Sequence, residues 1–170
     1  SIFERNQEGL WELKYILSPS DPENLQISPD FTYLVRNGSM FGHSNSIKDN
    51  TIFIGAPLKD HEDIWDVGAV YVYTKKPGEM WTSTTETAKL IPRIKEEGEL
   101  FGYSIKNLGN TLLAGAPGND YLKDGSTPRN KPGRAYVFQS KDYYWQDVIP
   151  LLDFTGDSFE KDYYGLSVYM

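Results

Sequence analysis

Cysteine is absent from this 170-residue chain and histidine occurs only twice, at His43 and His61. The first absence excludes disulfides within these residues and leaves the redox compartment unread. No thiol nucleophile is available, and the two histidines fall at non-equivalent places in the sequence. The chain also lacks a Gly-x-Ser-x-Gly elbow, a His-Glu-x-x-His helix and a phosphate-binding glycine loop, and no catalytic residue is expected. No apolar run is long enough to span a bilayer, which argues against membrane insertion of this segment. Positive charge is in the minority, with 17 Lys and Arg against 24 Asp and Glu and a net charge of −7. That balance favours solubility and weighs against nucleic acid or an anionic membrane as partner. No long helical period is present either.

What the chain does contain is repetition. Phe41-Gly42-His43-Ser44 leads to Asn50-Thr51-Ile52-Phe53-Ile54-Gly55-Ala56-Pro57, and the pattern returns as Phe101-Gly102-Tyr103-Ser104 leading to Asn110-Thr111-Leu112-Leu113-Ala114-Gly115-Ala116-Pro117. Each copy continues into a third element, Gly68-Ala69-Val70-Tyr71-Val72-Tyr73 or Gly133-Arg134-Ala135-Tyr136-Val137-Phe138. Tyr164-Gly165-Leu166-Ser167 opens another copy, and Ile2-Phe3-Glu4-Arg5 reads as the tail of an earlier one. Trp11, Trp81 and Trp145 follow the third element each time and open a fourth. Recurrence at one position assigns these tryptophans to packing.

The elements are short, rich in Val, Ile, Tyr, Phe and Thr, and bounded by Gly, Pro, Asn and Asp, which predicts strands. Gly68 to Tyr73 suits a half-buried strand and Thr111 to Ala114 an inner one covered on both faces. Asn50-Thr51 and Asn110-Thr111 mark tight turns in which Asn tolerates left-handed geometry. The expected fold is all-β, and four strands per repeat of this length suggest β-propeller blades.

In its wording the repeat resembles the FG-GAP family, which builds the β-propeller of integrin α-subunits and of many surface proteins. Phe41-Gly42, Gly55-Ala56-Pro57, Phe101-Gly102, Gly115-Ala116-Pro117 and the relaxed Tyr164-Gly165 carry the resemblance. It implies four-stranded antiparallel blades whose innermost strands begin at Phe41, Phe101 and Tyr164, with fourth strands beginning at Trp11, Trp81 and Trp145. The implied organisation is the end of a preceding blade over 1–40, complete blades over 41–100 and 101–163, and a first strand of the next over 164–170. About three blades do not close a ring. The neighbouring blades are expected from the rest of a longer chain or from other subunits. Integrin members carry a calcium loop between Phe-Gly and Gly-Ala-Pro. Here Ile47-Lys48-Asp49-Asn50 and Ile105-Lys106-Asn107-Leu108-Gly109-Asn110 hold too few carboxylates for that ion, so no metal and no cofactor are expected, as in the short-loop form of the family.

Candidate binding residues lie in the loops that differ between copies. The first loop contributes Asp60, His61, Glu62, Asp63, Trp65 and Asp66, and the second Asp120, Tyr121, Lys123, Asp124 and Arg129. The propeller resemblance places both on one face, together with the segment from Asp157 to Tyr163. The acidic group around His61 reads as a solvated turn, lacking the residue order of a calcium loop. Trp65 has two readings, a platform for a sugar or protein partner and a lid folded over the sheet edge. Glu96, Glu97 and Glu99, like Asp157 and Glu160, read as solvated loop carboxylates. Asn37-Gly38-Ser39 is a sequon whose asparagine would be glycosylated in a secreted eukaryotic protein. The resulting expectation is an extracellular or cell-surface recognition or adhesion module that binds a protein or a glycan through one face. The alternatives are a structural segment of a surface assembly or filament, and a carbohydrate-active enzyme on a propeller scaffold.

Overall fold

A computed structural model describes residues 1–22, 38–81, 85–118, 132–142, 144–146, 148–155 and 163–169. Among them it has ten strands and no helix: β1 (Ile2–Arg5), β2 (Trp11–Tyr15), β3 (Ser44–Lys48), β4 (Thr51–Ala56), β5 (Ala69–Thr74), β6 (Ala88–Leu90), β7 (Ser104–Leu108), β8 (Thr111–Ala116), β9 (Arg134–Gln139) and β10 (Pro150–Thr155). β1 and β2 form a two-stranded antiparallel sheet. The other eight make two four-stranded meanders, β3-β4-β5-β6 and β7-β8-β9-β10, antiparallel throughout. The fold is all-β, and each copy of the sequence repeat makes one sheet.

Register is the same in both sheets. Ser44 faces Gly55 and Lys48 faces Thr51 in the first, as Ser104 faces Gly115 and Leu108 faces Thr111 in the second. Each connection is therefore a two-residue hairpin turn. Its left-handed residue is Asp49 (φ 52°) or Gly109 (φ 58°), one place before the asparagine expected to adopt it. The asparagine carbonyls instead accept the amides of Lys75 at 3.0 Å and Ser140 at 2.9 Å, tying each turn to the end of the third strand. Pro57 and Pro117 follow the last residues of β4 and β8, where a missing amide does not interrupt the ladder.

The Phe-Gly pair is a turn that precedes the strand, so β3 and β7 begin at Ser44 and Ser104, later than expected. Met40 (φ 53°) and Leu100 (φ 60°) are left-handed, and their carbonyls accept the amides of His43 at 3.0 Å and Tyr103 at 3.1 Å. The fourth strands likewise start beyond the tryptophans, at Ala88 and Pro150. Trp81 and Trp145 are buried as expected, the second edge-on to Phe53 with ring centroids 4.8 Å apart. Trp11 is different: it opens β2 and is 67 % exposed, with the Arg5 guanidinium 5.7 Å from its ring. Among the described residues no further sheet covers the outer side of the two-stranded sheet to which it belongs.

The two meanders stack with their first strands adjacent. Alternation divides each strand between faces. Phe53, Val70 and Val72 of the first sheet meet Leu112, Ala114 and Phe138 of the second in one core. Ile52, Ile54, Tyr71 and Tyr73 point the other way, against Leu17, Ile2 and Tyr15. The stacking distance is fixed by backbone. A methyl group on Gly55 would overlap the carbonyl oxygen of Gly102, and one on Gly115 would overlap that of Gly165. The same two carbonyls accept the hydroxyls of Ser44 at 2.7 Å and Ser104 at 2.8 Å. The invariant parts of the repeat thus form one joint, used twice: Phe-Gly of one copy lies on Gly-Ala-Pro of the copy before, and Ser fastens it.

Replacing Gly55 with Ala forces this joint open and should destabilise the chain by about 2–3 kcal/mol, in the range for overpacked sites. Ser44→Ala removes only a hydrogen bond and should cost about 1 kcal/mol. Urea denaturation of the two variants checks the order; equal effects would contradict the account.

Candidate functional site

Beyond the Gly-Ala-Pro ends of β4 and β8, each copy builds a polar cluster around a tyrosine hydroxyl. Tyr71 and Tyr136 occupy the same place in the repeat, and both donate to a carboxylate from an earlier loop. Tyr71 Oη donates to Asp21 Oδ1 at 2.7 Å, and Tyr136 Oη donates to Glu99 Oε1. Cations complete each group. Lys89 Nζ lies 2.8 Å and Lys59 Nζ 3.5 Å from Asp21 Oδ2, with Lys59 also donating to the Asp21 carbonyl at 3.1 Å. Arg134 Nη2 lies 2.8 Å from Glu96 Oε1, and its Nη1 3.4 Å from Glu99 Oε1.

The two carboxylates respond differently. Burial raises the Asp21 pKa, but the hydrogen bonds from Lys89 and Tyr71 and the charges of Lys59 and Lys89 outweigh it, so Asp21 is held below the usual carboxylate range. Glu99 is 4 % exposed and its Oε2 has no hydrogen-bond partner. Burial pushes its pKa up to about 7, against the pull of the Tyr136 hydroxyl and Arg134. Burial also disfavours the Arg134 charge, yet hydrogen bonding to Glu96 and the neighbouring Glu99 keep its pKa above the ordinary value. Glu99, expected in a solvated run, is thus the most deeply placed carboxylate of its loop.

The first variable loop is held rigidly. His61 and Ile64 exchange two backbone hydrogen bonds of 2.9 Å, and Asp60 Oδ1 accepts the Asp66 amide at 2.9 Å. Glu62 (φ 56°) and Asp66 (φ 53°) take the left-handed turns. The loop is then laced to the segment entering the second sheet: Gly98, Leu100 and Phe101 amides donate to the carbonyls of Trp65, Asp66 and Val67 at 2.8, 3.0 and 2.9 Å. Glu62 and Asp63 are exposed, whereas Asp60, His61, Trp65 and Asp66 are half-buried. Trp65 is thus neither fully covered nor fully exposed. Glu62 Oε1 stands 3.9 Å from Lys95 Nζ.

His61 sits over the lysine-rich side of the cluster. Burial, then the charges of Lys89, Lys95 and Lys59, lower its pKa to about 4, so it is neutral at neutral pH. Its buried Nε2 has no hydrogen-bond partner. Among the described residues no three His, Cys, Asp or Glu side chains converge as metal ligands do. A shallow polar groove of about 240 Å³, lined by Glu86, Thr87, Ala88, Lys89 and Gln146, adjoins the cluster through Lys89.

Asp120, Tyr121, Lys123, Asp124, Arg129 and the sequon residue Asn37 lie outside the described residues. His43, placed in a strand from sequence, stands just ahead of β3, its ring tilted against that of its counterpart Tyr103 with centroids 4.4 Å apart. Asp21, Lys89 and Arg134 were not singled out from sequence. The available signal was the tyrosine: Tyr71 recurs as Tyr136, while neighbouring Tyr73 is replaced by Phe138, so only the first position retains a hydroxyl that needs an acceptor.

The sequence matches no protein-family model and no curated protein.

Two pH effects of opposite sign follow. Glu99 titrates near 4.5 when unfolded and about 7 when folded, so the folded state binds the extra proton between these values. Its contribution is full below pH 4.5 and is lost as pH rises through 7, on the order of 3 kcal/mol. His61, depressed from 6.5 to about 4, works in reverse: stability present above 6.5 is lost as pH falls through 4. Urea midpoints measured against pH should show Glu99→Gln abolishing the loss toward neutral pH and His61→Phe abolishing the loss toward acid. Separately, Tyr71→Phe should cost about 1–2 kcal/mol and speed amide exchange in 17–22, since its hydroxyl holds Asp21. Unchanged exchange there would refute that anchoring role.

Proposed function

We propose that the two meanders are blades of an FG-GAP-type β-propeller and that the chain serves as an extracellular or cell-surface recognition module. The observation that carries this is the lacing of loop 58–67 to 98–101, which presents a shaped, mixed-charge surface on a rigid base. Preorganised loops bind with little ordering cost, and the exposed carboxylates of Glu62 and Asp63 beside half-buried Trp65 offer polar and stacking contacts together. That combination suits a protein or glycan ligand. The stacked Phe-Gly and Gly-Ala-Pro joint supports the blade reading, because it lets one sheet follow another by the same step. Catalysis has no part in this proposal: the buried Glu99 is bound by Tyr136 and Arg134, an arrangement that holds a loop in place.

Screening against a glycan array and a panel of extracellular-matrix proteins should yield a ligand whose affinity falls at least about tenfold, the size of a hot-spot loss, in Trp65→Ala and in the Glu62→Lys/Asp63→Lys pair. Circular dichroism should confirm that both variants stay folded. Absence of binding across the panel, or binding indifferent to these changes, would sink the proposal.

A further inference from the structure

Asp21 precedes Pro22 in the only Asp-Pro bond of the chain, and the first polar cluster closes around it. Tyr71 Oη and Lys89 Nζ hold its carboxylate at 2.7 and 2.8 Å. Lys59 reaches further: its Nζ stands 3.1 Å from the Asp21 carbonyl oxygen, which belongs to the peptide bond to Pro22. Lys59 is 7 % exposed, so little water screens its charge from that oxygen. In the second copy the carbonyl of Glu99 accepts a backbone amide instead, from Gly118 at 3.1 Å. A segment anchored through its carboxylate does not need a buried cation on its main chain as well. The chain leading to the bond is also fixed, with Tyr73 Oη donating to the Ser18 carbonyl at 2.8 Å and the Ser20 amide to Glu86 Oε2 at 2.9 Å. Pro22 itself is exposed.

We propose that the Asp21–Pro22 bond is a self-cleavage site, with the Asp21 carboxylate as nucleophile and the Lys59 ammonium stabilising the charge that develops on the carbonyl oxygen. One carboxylate oxygen of Asp21 bonds to the Asp21 carbonyl carbon and closes a cyclic anhydride, while the bond from that carbon to the Pro22 nitrogen breaks. The electron pair of the broken bond stays on the nitrogen, which takes a proton from solvent. Water then opens the anhydride and leaves Asp21 with two carboxylates, so one water is consumed and nothing is oxidised or reduced. Nucleophile and carbonyl belong to one residue, which removes the entropy cost of bringing them together. Proline makes the bond a tertiary amide with weakened planarity preference, and its exposure gives the departing nitrogen access to a proton. Against burial, the hydrogen bonds from Lys89 and Tyr71 and the charges of Lys59 and Lys89 hold Asp21 ionised below the usual carboxylate range. The nucleophile therefore stays charged at an acidity that favours departure of the nitrogen. This inference does not rest on ligand capture by loop 58–67.

Intact-mass spectrometry under denaturing conditions, on the full chain held at about pH 5, tests it. Ile2, Tyr15 and Leu17 keep residues 1–21 packed on the first sheet after cleavage, so the pieces must be separated before they are weighed. Two pieces are expected, one ending at Asp21 and one beginning at Pro22, with masses that sum to the parent plus one water. The folded chain should cleave at least about tenfold faster than the same chain in urea, well within what one aligned oxyanion donor supplies. That comparison needs no variant and separates the folded site from the ordinary lability of an Asp-Pro bond. Lys59→Met, checked for folding by circular dichroism, should lose the advantage while matching the parent in urea. Asp21→Ala should give no pieces in either state. Equal rates in the folded and unfolded parent, cleavage at another bond, or a folded Lys59→Met that keeps the advantage would overturn the proposal.

Discussion

The contact on which the rest of the structure depends is main chain against main chain. Gly55 meets the carbonyl of Gly102, and Gly115 meets that of Gly165, with no room for a methyl group in between. Because backbone sets the approach, side chains around it are free to vary. Phe53 and Ile54 in the first copy become Leu113 and Ala114 in the second, yet strand register is unchanged. The serine hydroxyl satisfies a carbonyl that the close approach removes from water, so burying it carries no unpaired acceptor.

Above that joint the copies diverge in how they hold their loops. Both use a tyrosine hydroxyl and a carboxylate, but the first adds two lysines around a partly exposed aspartate, and the second seals a glutamate beneath an arginine. An open, doubly cationic site favours the ionised acid; a closed one with a single shared guanidinium favours the neutral acid. One scaffold thus gives two electrostatic environments from a difference in burial and cation supply.

Strands, turns and the buried Trp81 and Trp145 were legible in the sequence because they depend on local signals: alternation, Asn-Thr turns, proline after a ladder. The onset of β3 and β7 was not, since Phe-Gly looks like strand composition while Met40 and Leu100 take left-handed conformations that no bulky residue advertises. Trp11 shares its position with Trp81 and Trp145, yet among the described residues no full sheet covers it, a property of neighbours. Glu99 looked solvated because the residues that enclose it, Arg134 and Tyr136, come from a different strand much further along the chain. The stiffness of loop 58–67 likewise arises from backbone partners in 98–101, which pattern does not disclose.

Between the sheets lies a side-chain polar pair, Ser46 donating to Asn107 Oδ1 at 2.6 Å, both buried. Its members do not recur: the place of Ser46 is taken in the next copy by Lys106, whose ammonium lies 5.8 Å from the Tyr169 ring, and the place of Asn107 in the copy before is taken by Ile47. The backbone joint is generic and would accept the copies in any order, but this pair would not. Exchanging them would set a lysine in the buried place of Ser46 and an isoleucine in that of Asn107, removing the hydrogen bond between the sheets. The repeats therefore carry an address written in hydrogen bonds, and their order along the chain is part of the fold.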